Sequence, residues 1–161
     1  MGIQCRQSEK DINDLFAEIA RIIRDEILRT LKYLGEQCNT RIRDRSAKES
    51  WIDRTGNLRS SIGYAVFDYG KKAVESSFKV VLEGNEGIRE GRRYIDELAS
   101  EFAKTYALVV VAGMSYAEYV EAIESKDVLA STELWAKSKV DEYMMKTRQR
   151  IERRINKLLA A

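Results

Sequence analysis

The chain has 161 residues, enough for a sizeable hydrophobic core, and we expect a single domain spanning 1–161. Charged residues make up 34% of it, but 28 bases against 26 acids leave a net charge of only +2, which indicates no general attraction to nucleic acid or membrane. Histidine is absent, which removes the commonest general base and the commonest transition-metal ligand, so we expect no enzyme activity, no metal and no cofactor.

The compartment is indicated by the apolar runs and the cysteines. No apolar run approaches the roughly 20 residues that span a bilayer, and the N-terminus lacks the apolar stretch of a signal peptide. Cys5 and Cys38 are too few and too far apart for a metal knuckle or a disulfide framework. The sequence therefore predicts two reduced thiols in a cytosolic protein with no membrane partner.

The first predicted element is a long amphipathic helix. Its apolar residues recur at three- and four-residue steps from Ile12 to Leu34, with Ser8 or Asp11 as N-cap and Gly35 near the C-terminal end. A polar, basic segment follows, from which Trp51 is expected to pack onto the core.

The segment Asp53–Gly63 reads Asp-Arg-Thr-Gly-Asn-Leu-Arg-Ser-Ser-Ile-Gly. Thr55 is expected to cap a short helical run from Leu58 to Ile62. A strand is predicted over 64–69, a hairpin turn at 70–72 and a returning strand over 78–82, followed by a turn at 84–85.

Two further helices and one strand complete the prediction. Helical spacing resumes over about 87–104, and residues 106–112 form a nearly continuous apolar run that predicts a strand buried on both faces. Tyr116, Tyr119 and Val120 belong to a short helix or turn. The last helix is predicted over about 132–159, with Leu134 and Trp135 among its inward residues. The fold class is α+β: a small antiparallel sheet of three to four strands, packed by long N- and C-terminal helices, with an extra inserted helix.

Two clusters of charge could carry chemistry. Glu118, Glu121 and Glu124 share one side of a helix, where carboxylates could hold a hard cation or serve a carboxylate-based enzyme, although a solvated acidic stripe is the simpler interpretation. The C-terminal helix has cations at three- and four-residue spacing that could follow a phosphate backbone: Arg150, Arg153, Arg154 and Lys157. A nucleic-acid-binding or regulatory helical module is therefore the alternative function.

Charge is unevenly distributed along the chain. Residues 83–101 contain six acids and three bases, whereas residues 41–61 contain six bases and three acids. Patches of opposite sign favour head-to-tail packing, which closes into a ring when the rotation allows it.

The segment Thr55–Ile62 resembles the Thr-Gly-x-Leu-Arg-x-Ser-Ile motif of the head–tail joining, or tail-completion, proteins of long-tailed phages. Tyr116-Ala-Glu-Tyr-Val-Glu121 resembles that family's Tyr-Ala-x-Tyr-Val-Glu segment. The order of helix, first motif, hairpin and final helix is also the same. Three departures mark a divergent branch: Ala122-Ile123 in place of Gly-Thr, the absence of proline before the last helix, and the inserted helix.

The resemblance implies a structural virion component, made in the bacterial host cytoplasm, that joins the head connector to the tail. It implies a ring homo-oligomer, with a hexamer as one candidate, in contact with neck, connector or tail-tube proteins, and DNA that only passes through the lumen. The implied assembly residues are Thr55, Gly56, Leu58, Arg59, Ser61, Ile62, Tyr116, Tyr119, Val120 and Glu121. Among them, Leu58 and Ile62 would anchor the short helix, and Arg59 and Ser61 would be polar contacts at a subunit boundary.

Overall fold

A three-stranded antiparallel sheet in the order β2–β1–β3 lies at the centre of the protein. The computed structural model describes residues 8–46, 48, 50–122 and 126–160. In chain order the elements are α1 (Glu9–Arg43), α2 (Asn57–Ser60), β1 (Ile62–Asp68), β2 (Lys71–Glu75), α3 (Asn85–Leu98), a 3-10 turn (Ala99–Phe102), β3 (Tyr106–Ala112), α4 (Ala117–Ala122) and α5 (Ala130–Leu159). The predicted α+β class, with long terminal helices, is confirmed.

The central strand is β1, and its alternating side chains build two cores. Tyr64 and Val66 pack with Leu31 of α1 on one face. Ala65 and Phe67 pack with Ile95 of α3 on the other. The sheet therefore lies between the pair α1 and α5 on one side and α3 with its 3-10 turn on the other, so the inserted helix supplies half of the sheet's cover.

The second strand lies earlier than predicted. Tyr69 and Gly70 both have positive φ, at 48° and 80°, and form a tight two-residue turn that pairs Lys71 with Asp68. Residues 76–81, which include most of the predicted strand over 78–82, have no regular secondary structure. The prediction was wrong because the lysines expected in the turn continue the hairpin, which ends at Glu75.

The first helix begins as expected and ends later. Ser8 is the N-cap, in a capping box with Asp11. Gly35 does not end the helix: it lies beneath the Tyr64 ring, where an added Cβ would be 2.4 Å from Cδ2. Gly35 therefore allows the helix to approach the sheet closely, and α1 runs on to Arg43.

The last helix packs antiparallel to α1 through polar contacts. The hydroxyls of Thr30 and Thr147 are 2.5 Å apart, and the Tyr33 and Tyr143 rings meet edge to face at 5.6 Å. Of the predicted inward residues, Trp135 is partly buried but Leu134 is 69% exposed, which corrects its placement.

The strand expected to be buried on both faces is β3, and this expectation is wrong. β3 pairs with β1 alone and is only partly buried along most of its length. The fully covered strand is β1, because it lies between two neighbours.

Two other predictions concern membrane spans and the cysteines. No helix among the described residues is long and apolar enough to cross a membrane. Cys38 is a free thiol, and burial raises its pKa to about 11, which makes it an inert core residue. Cys5 lies outside the described residues.

Candidate functional site

The two motifs, about sixty positions apart in sequence, line one surface depression of about 540 Å³. We call this depression the motif surface. It is lined by Trp51, Ile52, Asp53, Arg54, Thr55, Gly56, Asn57, Leu58, Tyr116, Tyr119, Val120 and Lys126. The motifs meet because Ile62, the last residue of the first motif, begins β1 and pairs with Ala112, which lies shortly before the second motif.

The motif surface exposes large apolar side chains. Ile52 is 74% exposed, Tyr119 55% and Tyr116 39%. Leu82, 64% exposed, lies beside Gly56. Isolated apolar side chains are common on protein surfaces, whereas here several are gathered in and beside one depression.

The glycine of the first motif is required by its backbone. Gly56 has φ +78°, and an added Cβ would lie 1.9 Å from the Val81 carbonyl oxygen. Gly56 is also the N-cap of α2, so the predicted cap at Thr55 is displaced by one position. The Thr55 hydroxyl instead accepts a hydrogen bond of 3.3 Å from the Asn57 amide.

The start of α3 holds the motif turn in place. The Asn57 side chain accepts from the Gly87 amide at 3.3 Å and donates to Glu86 at 3.0 Å. A Cβ on Gly87 would lie 2.0 Å from the Asn57 carbonyl oxygen. The inserted helix therefore fixes the motif turn, a role that the sequence did not indicate.

The motif arginine makes its bonds within the fold. Arg59 donates to Asp53 at 2.5 Å and to the Arg43 carbonyl at 2.6 Å, and its guanidinium lies 4.6 Å from the centre of the Trp51 ring. Arg43 in turn donates to the Arg59 carbonyl at 2.8 Å. We call this set of bonds the arginine clasp. It joins the end of α1 to α2, so the expected role of Arg59 at a subunit boundary is replaced by an internal one.

The remaining residues of the first motif are buried. Ser61 is fully buried and donates to the Leu58 carbonyl at 2.8 Å, which corrects its expected role as a boundary contact. Leu58 and Ile62 lie in a core cluster with Ile42, and Val120 packs against that cluster. Leu58 and Ile62 thus anchor α2 as the resemblance implied.

The second motif divides between the depression and the base of α5. Burial raises the pKa of Tyr116, and the nearby carboxylates of Glu86 and Asp53 raise it further. A hydrogen bond with the Thr55 side chain lowers this pKa, but by less. Glu121 faces away from the depression.

Glu121 caps the last helix. One of its oxygens accepts from the amides of Val128, Leu129 and Ala130 at 3.2, 2.9 and 2.7 Å. The N-cap position of α5 is Leu129, which has no capping side chain of its own. The sequence did not indicate this contact, because Ser131 and Thr132 offer ordinary capping side chains near the predicted helix start.

The acidic trio does not form a cation site in the described structure. Glu121 is used as a cap, Glu118 is exposed, and Glu124 lies outside the described residues. Within the described ranges, no group of three or more His, Cys, Asp or Glu side chains is placed to hold a metal ion.

The predicted phosphate contacts on α5 are partly engaged elsewhere. Arg150 and Arg154 donate to the buried carboxylate of Glu26 at 2.8 and 2.9 Å. Burial raises the pKa of Glu26, but the bonds from these two arginines outweigh it and hold the pKa below its ordinary value. Of the four cations, Arg153 and Lys157 are the exposed ones.

The basic patch over 41–61 is likewise reduced by internal bonds. Arg43 and Arg59 form the clasp, and Arg45 pairs with Asp127 at 2.8 Å. These bonds leave Arg41, Lys48 and Arg54 as the exposed bases of that segment, so head-to-tail attraction by net charge is weaker than its composition suggests. Comparison with protein-family models, curated proteins and solved structures finds no match to this chain.

Proposed function

We propose that this protein is a structural subunit of a phage or prophage particle, and that it joins head to tail by assembling into a ring. The observation that carries the proposal is the convergence of the two motifs on one exposed surface. The resemblance in sequence concerns two separate segments, and the fold gives them a common location with exposed Ile52 and Tyr119.

The construction of the motif surface favours binding over catalysis. Several of its polar side chains hold the backbone in place: Asn57 bonds to α3, Thr55 bonds to the turn, and Asp53 accepts from Arg59 of the clasp. Its exposed large apolar side chains are Ile52, Tyr116 and Tyr119, and Arg54 and Thr55 are exposed beside them. A rigid frame that presents apolar anchors is the usual form of a protein–protein contact, because ordering costs are met before binding.

The alternative of phosphate binding by α5 is less well supported. Two of its four candidate arginines and lysines already neutralise Glu26 inside the protein. Their release would leave a buried carboxylate without a partner, which is costly.

The experiment is native mass spectrometry of the full chain, alone and mixed with the products of its neighbouring genes. The expected result is a closed oligomer of one stoichiometry, which Tyr119→Ala weakens by removing an aromatic anchor. Tyr33→Ala is the matched control, because Tyr33 is 54% exposed and lies away from the motif surface, against Tyr143. Monomers in every mixture would overturn the proposal.

A further inference from the structure

Among the described residues, no strand pairs with the outer edge of β3. Gly113 donates to the Ser61 carbonyl at 3.2 Å and Tyr69 donates to the Thr105 carbonyl at 3.1 Å, both in register with the β1–β3 pairing. Hydrogen-bonded pairs alternate in an antiparallel ladder. Ala107, Val109 and Val111 therefore bond to β1, while the backbone groups of Leu108, Val110 and Ala112 point away from it.

No described residue bonds to the outward backbone groups of Leu108, Val110 or Ala112. The strand they belong to, residues 106–112, contains no charged side chain. Natural edge strands are normally shortened, charged or covered, because an open apolar edge pairs with another chain. The opposite edge of the sheet follows that rule, since β2 carries Lys71, Lys72 and Glu75.

Open space flanks β3 on both faces of the sheet; it is mainly apolar toward α1 and α5, and it is lined by both apolar and charged side chains toward α3. A groove of about 420 Å³ lies toward α1 and α5, and its lining includes Leu108, Val110 and Val140. A second groove of about 690 Å³ lies toward α3, and its lining includes Val111, Leu98 and Glu118. A strand added to an open edge places alternate side chains on the two faces, so these grooves supply the sites that strand addition requires.

The same chain has an unpaired segment of strand composition. Residues 78–82 read Phe-Lys-Val-Val-Leu, and none of them belongs to a regular strand. Phe78 is buried in the core and Leu82 has a positive φ of 52°, so residues 79–81 are the part that could pair as a strand. The Lys79 carbonyl accepts from Arg43 at 2.9 Å and the Val81 amide donates to Ser60 at 2.8 Å, so these groups face the protein body. Between them, no described residue bonds to the backbone of Val80, whose side chain is 49% exposed.

We propose that the open edge of β3 receives residues 79–81 of a second copy of this chain. The two surfaces differ and lie on opposite sides of β1, so the contact is head-to-tail and repeats from copy to copy. Charge agrees with this pairing: Lys79 is exposed in the donor segment, and Glu118 is exposed in the groove toward α3. The proposal rests on the ring assembly proposed above and names the contact that forms the ring.

The first test is residue-level amide exchange of the full chain, measured in the monomer and in the assembled state. The amides of Leu108, Val110 and Val80 are expected to exchange slowly only after assembly. The amide of Val109, already bonded to β1, is protected in both states and serves as the internal control.

The second test compares two substitutions at Val80. Val80→Pro removes the outward N–H and is expected to raise the dissociation constant between subunits by at least about tenfold. Val80→Thr keeps that N–H and the shape of the side chain, and changes the constant far less. If circular dichroism showed that the Val80→Pro variant is unfolded, the amide-exchange measurement on the unmodified chain would decide whether the contact exists.

Three results would overturn the proposal. Assembly with rapid exchange at Leu108 and Val110 would refute the edge contact and leave the ring itself standing. Protection that appears only with a neighbouring gene product would assign the edge to a different chain. Monomers under all conditions would refute both the contact and the proposed function.

Discussion

The arginine clasp gives a sharp prediction, because the resemblance and the structure assign Arg59 different roles. The Arg59 side chain is only 12% exposed and its partner Asp53 17%. Replacing Arg59 with Ala removes its bonds to Asp53 and to the Arg43 carbonyl, and its stacking on Trp51. The expected consequence is a less stable fold, whether or not a partner is present.

The magnitude follows from the burial of the pair. Removing one partner of a buried ion pair costs about 3–5 kcal/mol. In the variant, Asp53 still accepts the hydrogen bond of 3.0 Å from the Trp51 indole. We therefore expect a loss of unfolding free energy at the lower end of this range, about 3 kcal/mol. In a chain of 161 residues this lowers the Tm by about 6–12 °C.

The assay is thermal unfolding followed by circular dichroism, with Arg54→Ala as the matched control. Arg54 is the exposed arginine of the same segment, so its loss is expected to change stability by less than about 0.5 kcal/mol. Arg59→Lys keeps the charge but not the fork of donors, and should fall between the two. An Arg59→Ala protein with an unchanged Tm and lost assembly would show that Arg59 is a partner contact.

Three further changes test other parts of the fold by the same assay. Glu26→Gln is expected to lower the free energy of unfolding by about 2 kcal/mol, less than for a fully buried pair, because the side chains of Arg150 and Arg154 are 35% and 38% exposed. Because the fold lowers the pKa of Glu26, the stability that its carboxylate contributes is present above the ordinary pKa of 4.5 and is lost as the pH falls below that value. The stability of the variant should therefore fall less steeply at acid pH than that of the unmodified protein, and an equal fall would contradict the assignment. Gly87→Ala forces α3 away from Asn57 and is expected to cost about 1–3 kcal/mol, whereas an unchanged Tm would show that the contact yields easily. Glu121→Ala leaves three amides at the start of α5 uncapped and should cost about 1–2 kcal/mol, with faster exchange at Leu129 and Ala130; unchanged exchange there would argue against the cap.

The sequence predicted the elements whose pattern is local. The steps of apolar residues from Ile12 to Leu34 correctly predicted a long helix, and Ser8 is one of the two predicted N-cap residues. The apolar run over 106–112 correctly gave a strand. The pattern could not show which strand is central in the sheet. Both β1 and β3 are rich in apolar residues, and only the strand pairing decides that β1 is the central one.

The errors arose where distant residues override local preference. Residues 78–82 have strand composition, but Arg43 and Ser60 take the backbone bonds that a neighbouring strand would need. Gly35 has the character of a helix end, yet the Tyr64 ring occupies the space beside it and the helix continues.

The sequence predicted which two segments form the candidate site, but it did not predict what each of their residues does. The motifs were visible in the sequence, and the pairing of Ile62 with Ala112 brings them together. The sequence did not show which residues are internal and which are exposed. Arg59 and Ser61 make hydrogen bonds within the fold, whereas Ile52, which lies outside the matched motif, is exposed together with Tyr119.

The most direct test of the central claim is deletion of this gene from the genome that encodes it, with electron microscopy of any phage particles produced. A protein that joins head to tail predicts filled heads and separate tails after deletion, and joined particles when the full chain is supplied in trans. Joined, complete particles in the absence of the chain would contradict the account.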